Sequence, residues 1–206
     1  IHRELGCYMP WETDEKMENW TNVEVYKKGP NKGRVRFAEF FMFRTEEGIP
    51  FHVQYLTAAE ELVFFSNTNT FLIDDLSCGD YITKLTNLKK LTIGAYGLST
   101  LPDSFANLKN LRYLDLSSNN FQVVPPVINA ENFPNLTALI FNSCTRYAVY
   151  DLSNDNRKNI GGFVDEPEFP MHLLKWNKLD TLRLSVNYLM GELPAMESAP
   201  KWTAED

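Results

Sequence analysis

Bond-making chemistry finds few residues to work with in this chain of 206 amino acids. Its three histidines, His2, His52 and His172, stand far apart, and no GxSxG, HExxH, CxxC or phosphate-loop spacing occurs. A metal centre or a catalytic triad needs several such groups converging from fixed elements, so no catalytic set, metal site or cofactor is expected. One loose acidic pattern, Asp151, Ser153, Asp155 and Asn159, lacks the glycine at its sixth position and the glutamate at its twelfth that a calcium loop requires. What remains is the chemistry of recognition. It is concentrated in "GRVRFAEFFMF" at 33–43, a strand-like run with large apolar groups on both faces. A strand on a half-solvated sheet buries only one.

The chain is 44% hydrophobic and 23% charged, enough for one sizeable core. Its net charge is −7 and its basic residues are scattered, densest between Lys27 and Arg36 in a turn rich in Gly, Pro and Asn. Nucleic-acid binding needs a clustered basic surface, so that partner class is set aside. No run of 18 apolar residues exists, so no membrane span is expected. The chain opens at Ile1, read here as a mature or trimmed form. "ELGC" ending at Cys7 follows a short charged "IHRE", which does not suit a lipid anchor. Of two Asn-x-Thr sequons, at Asn19 and Asn135, the second arises within the repeat described next.

Self-comparison of the chain reveals its organisation. "LRYLDLSSN" carries Leu111, Leu114, Leu116 and Asn119 in the pattern LxxLxLxxN. The pattern returns at Leu179, Leu182, Leu184 and Asn187, at Leu88, Leu91, Ile93 and Tyr96, and at Leu136, Leu139, Phe141 and Cys144. Weaker copies run through Ala59, Leu62, Phe64 and Asn67 and through Val35, Ala38, Phe40 and Phe43. A second register links them, in which Pro102, Phe105 and Leu108 correspond to Pro50, Val53 and Leu56 and to Pro170, Leu173 and Trp176. Two intervals are long, by about six residues around 68–78 and about twenty near 145–166.

These residues resemble the leucine-rich repeat family over roughly 33–194. The resemblance implies an α/β solenoid: a right-handed coil with a parallel concave sheet, and a convex side of helical, 3₁₀ or loop segments. "MENWTNVEV" followed by "KGRVRFAEF" resembles the amino-terminal cap of plant-type members, with Trp20, Val23, Gly33, Arg34 and Val35 matching. Met17, Asn22 and Val25 depart from it, so the disulfide usual in that cap is absent. A disulfide-free cap beside "GELP" is similar to bacterial surface proteins of the gut Bacteroidetes, which implies an exported or surface-attached protein. Residues 1–32 are taken as amino-terminal segment and hairpin-like cap, 33–194 as solenoid, and 195–206 as tail or partial cap, with Met196 and Trp202 as its apolar groups.

Alternation of period two assigns the faces. The fourth and sixth positions of each copy point into the solenoid, while the third, fifth and seventh line the concave sheet. Phe37, Glu39 and Phe41 therefore face the concavity, followed by Glu61, Val63 and Phe65. The lining then turns polar, through Lys90, Thr92 and Gly94, then Tyr113, Asp115 and Ser117, then Ala138, Ile140 and Asn142, then Thr181, Arg183 and Ser185. Three phenylalanines with Val63 exceed the apolar patch that a soluble monomer ordinarily exposes. Either residues 1–32, with Tyr8, Met9, Trp11 and Trp20, or the long insertion fold over that end, or the patch anchors a partner inside a rim of Glu39 and Glu61.

Candidate binding residues are thus Phe37, Glu39, Phe41, Glu61, Val63, Phe65, Tyr113, Asp115, Ile140 and Arg183, joined by Tyr147 and Tyr150 from the long insertion, where Phe163 also lies. Cys144 takes the Asn position of its copy and Cys78 precedes a turn, so both are expected to be buried. Three reduced thiols, or a Cys7–Cys78 bridge, are the two readings. The resemblance implies non-catalytic recognition of a protein, peptide or glycan. Its rivals are a substrate-recruiting domain of a larger enzyme or effector and a structural or adhesive surface array.

Overall fold

A computed structural model describes residues 14–42, 49–66, 76–121, 123–142, 144, 169–185, 187 and 189. The described strands are β1 (Val23–Val25), β2 (Val35–Met42), β3 (Glu61–Ser66), β4 (Leu76–Ser77), β5 (Lys90–Gly94), β6 (Leu98–Thr100), β7 (Tyr113–Asp115), β8 (Ala138–Ile140) and β9 (Thr181–Arg183). Seven of them form one sheet in the order β1-β2-β3-β5-β7-β8-β9, parallel from β2 onward. Its register follows the repeat residue by residue. Phe37 lies beside Glu61, Glu61 beside Lys90, Lys90 beside Tyr113, Tyr113 beside Ala138, and Ala138 beside Thr181. This is the parallel solenoid sheet that the leucine-rich repeat resemblance implies.

Stacking follows from that register. At the fourth position Ala38, Leu62, Leu91, Leu114 and Leu139 are buried, and at the sixth so are Phe40, Phe64, Ile93, Leu116 and Phe141; Leu182 and Leu184 on the last described coil are half-buried. Each fully buried leucine contributes roughly 1.5–3 kcal/mol, and it does so only against the next coil's leucine. The weak copies substitute rings for leucines. Phe40 stacks on Phe64 with centroids 4.9 Å apart, and Phe64 meets Tyr96 edge-on at 6.2 Å.

Connections on the convex side, expected as helical, 3₁₀ or loop, include four described 3₁₀ turns, Phe51–Tyr55, Ile82–Lys84, Asp103–Asn107 and Met171–Lys175, whereas the described residues between β7 and β8 form turns and loop. Three of the four follow a proline, Pro50, Pro102 or Pro170, whose fixed φ (−63°, −70° and −72°) sets the chain up to turn. Their inward residues Val53, Ile82, Phe105 and Leu173 are fully buried. Trp176 adds a hydrogen bond, its indole N–H donating to the Phe133 carbonyl at 2.9 Å. A feature the repeat pattern does not announce is a short parallel ribbon of β4 and β6.

The amino-terminal edge of the sheet is closed by a hairpin. β1 runs antiparallel to β2, with Val23 opposite Ala38, and the turn between them is held by Gly33 N–H on the Tyr26 carbonyl (2.9 Å) and Tyr26 N–H on the Arg34 carbonyl (3.0 Å). Gly33 has φ of +80°, a backbone state that glycine adopts freely. Trp20, Val25 and Val35 pack partly buried against the core beneath this hairpin. No bridge ties Cys78, which is a buried free thiol, as is Cys144. The alternative Cys7–Cys78 pairing involves Cys7, which lies outside the described residues. Outside them too lie residues 68–75 of the insertion expected at 68–78, the whole of the insertion expected at 145–166, and the tail expected at 195–206.

Of the five buried polar residues described, Gln54, Thr83, Asn119, Asn120 and Asn187, two asparagines at the end of the repeat bind backbone groups of adjacent coils. Asn119 is fully buried; its Oδ1 accepts Tyr96 N–H (3.0 Å) and Leu98 N–H (3.1 Å), and its Nδ2 donates to the carbonyls of Ile93 (2.6 Å) and Leu116 (2.8 Å). Asn187 repeats the arrangement, accepting Cys144 N–H at 2.8 Å and donating to Leu184 and Phe141. Buried backbone groups without such partners cost about 1–3 kcal/mol each. Asn119→Leu is expected to lower unfolding free energy by about 4 kcal/mol, measured by urea denaturation, whereas the exposed Asn87→Ala should lower it by less than about 1 kcal/mol.

Burial pushes both thiols, Cys78 and Cys144, up to about 12 from 9.0. The folded state therefore keeps protons that the unfolded chain loses first. Stability is complete below pH 9 and declines as pH rises from about 9 toward 12, by about 1.4 kcal/mol per pH unit for each thiol. Urea midpoints between pH 8 and 10.5 should fall more steeply for the parent chain than for a Cys78→Ala, Cys144→Ala variant.

Candidate concave recognition face

Side chains at odd positions of each strand project from the face opposite the core, so the sheet register arranges them in three rows. The third-position row is Phe37, Glu61, Lys90, Tyr113, Ala138 and Thr181, and the fifth-position row is Glu39, Val63, Thr92, Asp115, Ile140 and Arg183. In the seventh-position row Phe41 pairs with Phe65 and Phe65 with Gly94. Phe37, Glu39, Glu61 and Val63 are half-buried, while Phe65 remains 39% exposed. The Phe41 side chain, Tyr147 and Tyr150 lie outside the described residues, as does Phe163.

Phe65 is seated by its neighbour. A Cβ built on Gly94 would stand 2.7 Å from Phe65 Cδ2 and 2.9 Å from Cε2, so the ring lies across the glycine and only a residue without a side chain leaves room for it. Gly94 is an ordinary strand residue in φ, and what its place requires is close approach. The apolar end is edged by charge. Glu61 pairs with Lys90 at 3.4 Å, both partly exposed, so the pair adds little stability.

Farther along the rows the lining is a hydrogen-bonded polar strip. Asp115 Oδ1 accepts Ser117 N–H at 2.9 Å, and Tyr113 O–H reaches Asp115 Oδ2 at 3.4 Å. The Tyr113 hydroxyl is raised above its ordinary pKa by burial and then by the Asp115 carboxylate, so it stays protonated and serves as a donor at neutral pH. Ser117 Oγ accepts Asn142 N–H (3.1 Å) and Asn142 Oδ1 accepts Ser185 N–H (3.0 Å), which fixes the strip coil to coil. Arg183 is exposed. Ile140, expected as a contact residue, is only 6% exposed between Asp115 and Arg183 in its row; it belongs to the floor of the strip and offers no contact surface.

The two described histidines sit on the convex turns, His52 between Phe51 and Tyr55 and His172 in Met171–Lys175, on the opposite side from the concave rows. Among the described residues no group of three or more His, Cys, Asp or Glu could hold a metal ion. No helix among them is long and apolar enough to cross a membrane.

A row that the repeat consensus does not include runs along the edge where the strands begin. Asn87, Asn110 and Asn135 each precede the first leucine of a copy, and each donates from Nδ2 to a backbone carbonyl of the coil before: Thr57 (2.8 Å), Thr86 (2.8 Å) and Lys109 (3.1 Å). Three Asn-Leu dipeptides at one register position were its visible sign in the sequence.

No protein-family model matches the chain. The volume-regulated anion channel subunit LRRC8B of Mus musculus is 36% identical over 58 residues, which are 28% of this chain and 7% of that subunit. Among solved structures, a plant ice-binding protein aligns with 64% of this chain and 40% of its own at 27% identity and a TM-score of 0.49. The BIR3–SERK2 complex from Arabidopsis thaliana aligns with 68% of this chain and 72% of its own at 17% identity and a TM-score of 0.45. The plant peptide hormone receptor RGFR1, in complex with RGF2, aligns with 81% of this chain and 25% of its own at 20% identity and a TM-score of 0.47. The chain thus spans less than half the length of the ice-binding protein and a small part of the channel subunit.

The Gly94 contact is open to direct test. Gly94→Ala should cost about 1–3 kcal/mol by driving Phe65 off its seat. In a Phe65→Ala background the same change should be neutral or slightly stabilising, since alanine restricts the unfolded strand more than glycine does. A double-mutant cycle by chemical denaturation should return a coupling above about 1 kcal/mol.

Proposed function

We propose that the face of the sheet opposite the core, in a chain whose repeat and parallel register are those of the leucine-rich repeat solenoid fold, recognises a protein or peptide partner, with Phe65, Val63 and Phe37 as the apolar anchor and Glu39 and Glu61 as the rim. One observation carries the reading: Phe65 is held across Gly94 on a paired strand and yet stays 39% exposed. An aromatic ring that the sheet seats but does not bury has its rotamer fixed before any partner arrives, so little ordering entropy is lost on contact. Aromatic groups inside a polar rim are where binding energy concentrates at interfaces. Tyr113, Asp115 and Arg183 continue the face as polar specificity contacts, with Phe41, Tyr147 and Tyr150 as further candidates. Following the family resemblance, we place the domain outside the cell or on its surface.

Phe65→Ser tests this reading. Affinity capture from host and bacterial surface fractions, with the parent chain and Phe65→Ser as matched baits, should enrich a partner with the parent and lose it with the variant. Affinity for the isolated partner should fall about 10- to 100-fold, with melting temperature shifted by no more than a few degrees. A variant that unfolds, or one that captures the same partner with parental affinity, makes Phe65 a packing residue and removes the anchor.

A further inference from the structure

The strand-entry edge of the solenoid holds a groove of about 320 Å³ that is separate from the concave rows. Its lining is made mostly by residues just before the first position of a copy, Asn87, Asn110 and Asn135, and just after it, Glu60, Lys89 and Arg112, with Asn31, Ala58 and Tyr26 completing it. We infer that this groove binds a linear, uncharged oligosaccharide.

Lining chemistry comes first. The side chains are mainly planar polar groups, with Ala58 the small apolar exception and Tyr26 the one aromatic. A peptide groove draws affinity from apolar pockets filled by alternate side chains, and none is offered here. Amides, a guanidinium and a carboxylate beside one aromatic ring suit a ligand whose surface is hydroxyl groups over apolar ring faces. Each asparagine spends one Nδ2–H on the carbonyl of the preceding coil, so its amide plane is fixed, and the second N–H remains available to the groove. Oδ1 of Asn87 and Asn110 accepts no bond among the described residues, whereas Oδ1 of Asn135 accepts Lys178 Nζ at 3.0 Å. A donor and an acceptor side by side in a fixed plane match a vicinal diol.

Spacing gives the second argument. The three asparagines occupy one register position on successive coils, so the amides recur at about the inter-strand distance of 4.8 Å. Groups on one side of an extended peptide recur at about 6.7 Å, two residues of strand rise, and fall out of step within two rungs. A chain of linked pyranose rings advances by roughly one ring per rung and stays in step.

Charge decides between neutral and acidic sugars. Lys89 is bonded to Glu60 at 2.8 Å, and that bond, with smaller help from the Arg36 charge, holds the Glu60 carboxyl below its ordinary pKa, so the pair is internally neutral. Among the described residues Arg112 is then the one charge of the lining without an ion-pair partner, and the chain as a whole carries −7, which repels a polyanion. Tyr26 O–H is engaged with the Ala58 carbonyl at 3.1 Å, which fixes its ring as a stacking surface at one end.

Cellohexaose, mannohexaose and maltohexaose, titrated into the full chain by calorimetry, test the inference. At least one should bind saturably with little dependence on salt. Arg112→Ala, an exposed change, and Asn110→Ala should each weaken that binding about tenfold or more with the melting temperature of Arg112→Ala unchanged, while Phe65→Ser leaves it intact. Absence of saturable binding for all three sugars, full binding by an Asn110→Ala, Arg112→Ala double variant that melts as a folded protein, or loss of binding in Phe65→Ser overturns the assignment. The last outcome would place the sugar on the concave face.

Discussion

The structure depends on one constraint: a single coil of this chain cannot bury its own apolar residues, so each must find its partner at the same position of the next coil. Leu62, Leu91, Leu114 and Leu139 form one continuous file because their strands pair without slip. A shift of one residue in any pairing would turn that coil's leucines outward and its concave residues inward. Register is therefore the quantity that evolution of this sequence had to protect, and the polar groups at the coil ends serve it. Asn119 bonds backbone groups both of its own coil and of the one before, so it locks the step between two coils as well as satisfying buried amides.

The same constraint produces the two surfaces. Because inner positions are fixed by stacking, outer positions fall into rows without further instruction, and whatever residues occupy them become neighbours across coils. Phe65 and Gly94 are 29 positions apart in sequence, counting 94 − 65, yet they are pressed together because both are seventh in their copies. The asparagines of the strand-entry edge become a ladder for the same reason. Rigid files of this kind are costly to distort one residue at a time, which is what makes an exposed ring or a row of fixed amides useful for recognition.

Much of this was legible in the sequence because the repeat encodes it. LxxLxLxxN copies starting at Val35, Ala59, Leu88, Leu111, Leu136 and Leu179 give the parallel register found, including the weak copies in which Phe40 and Phe64 stand for leucines. The burial of Cys78 and Cys144 followed from position alone. Other features depend on what two coils do together. Gly94 reads as an unremarkable polar-end residue until Phe65 is placed on it, and Asn87 reads as a solvated loop residue until the Thr57 carbonyl is placed beneath it. Ile140 alternates as a surface residue yet is buried in its row. The β4–β6 ribbon joins segments of low strand signal, and only their juxtaposition by the coil pairs them.

Side-chain and backbone contacts across the sheet in solution test the register most directly. Nuclear Overhauser effects on a uniformly labelled sample should connect Val63 to Thr92, Thr92 to Asp115, Asp115 to Ile140 and Ile140 to Arg183, with the Phe65 ring protons close to both Gly94 Hα. Cross-strand contacts displaced by one residue at any of these steps, or a Phe65 ring remote from Gly94, would contradict the stacking account and both surfaces built on it.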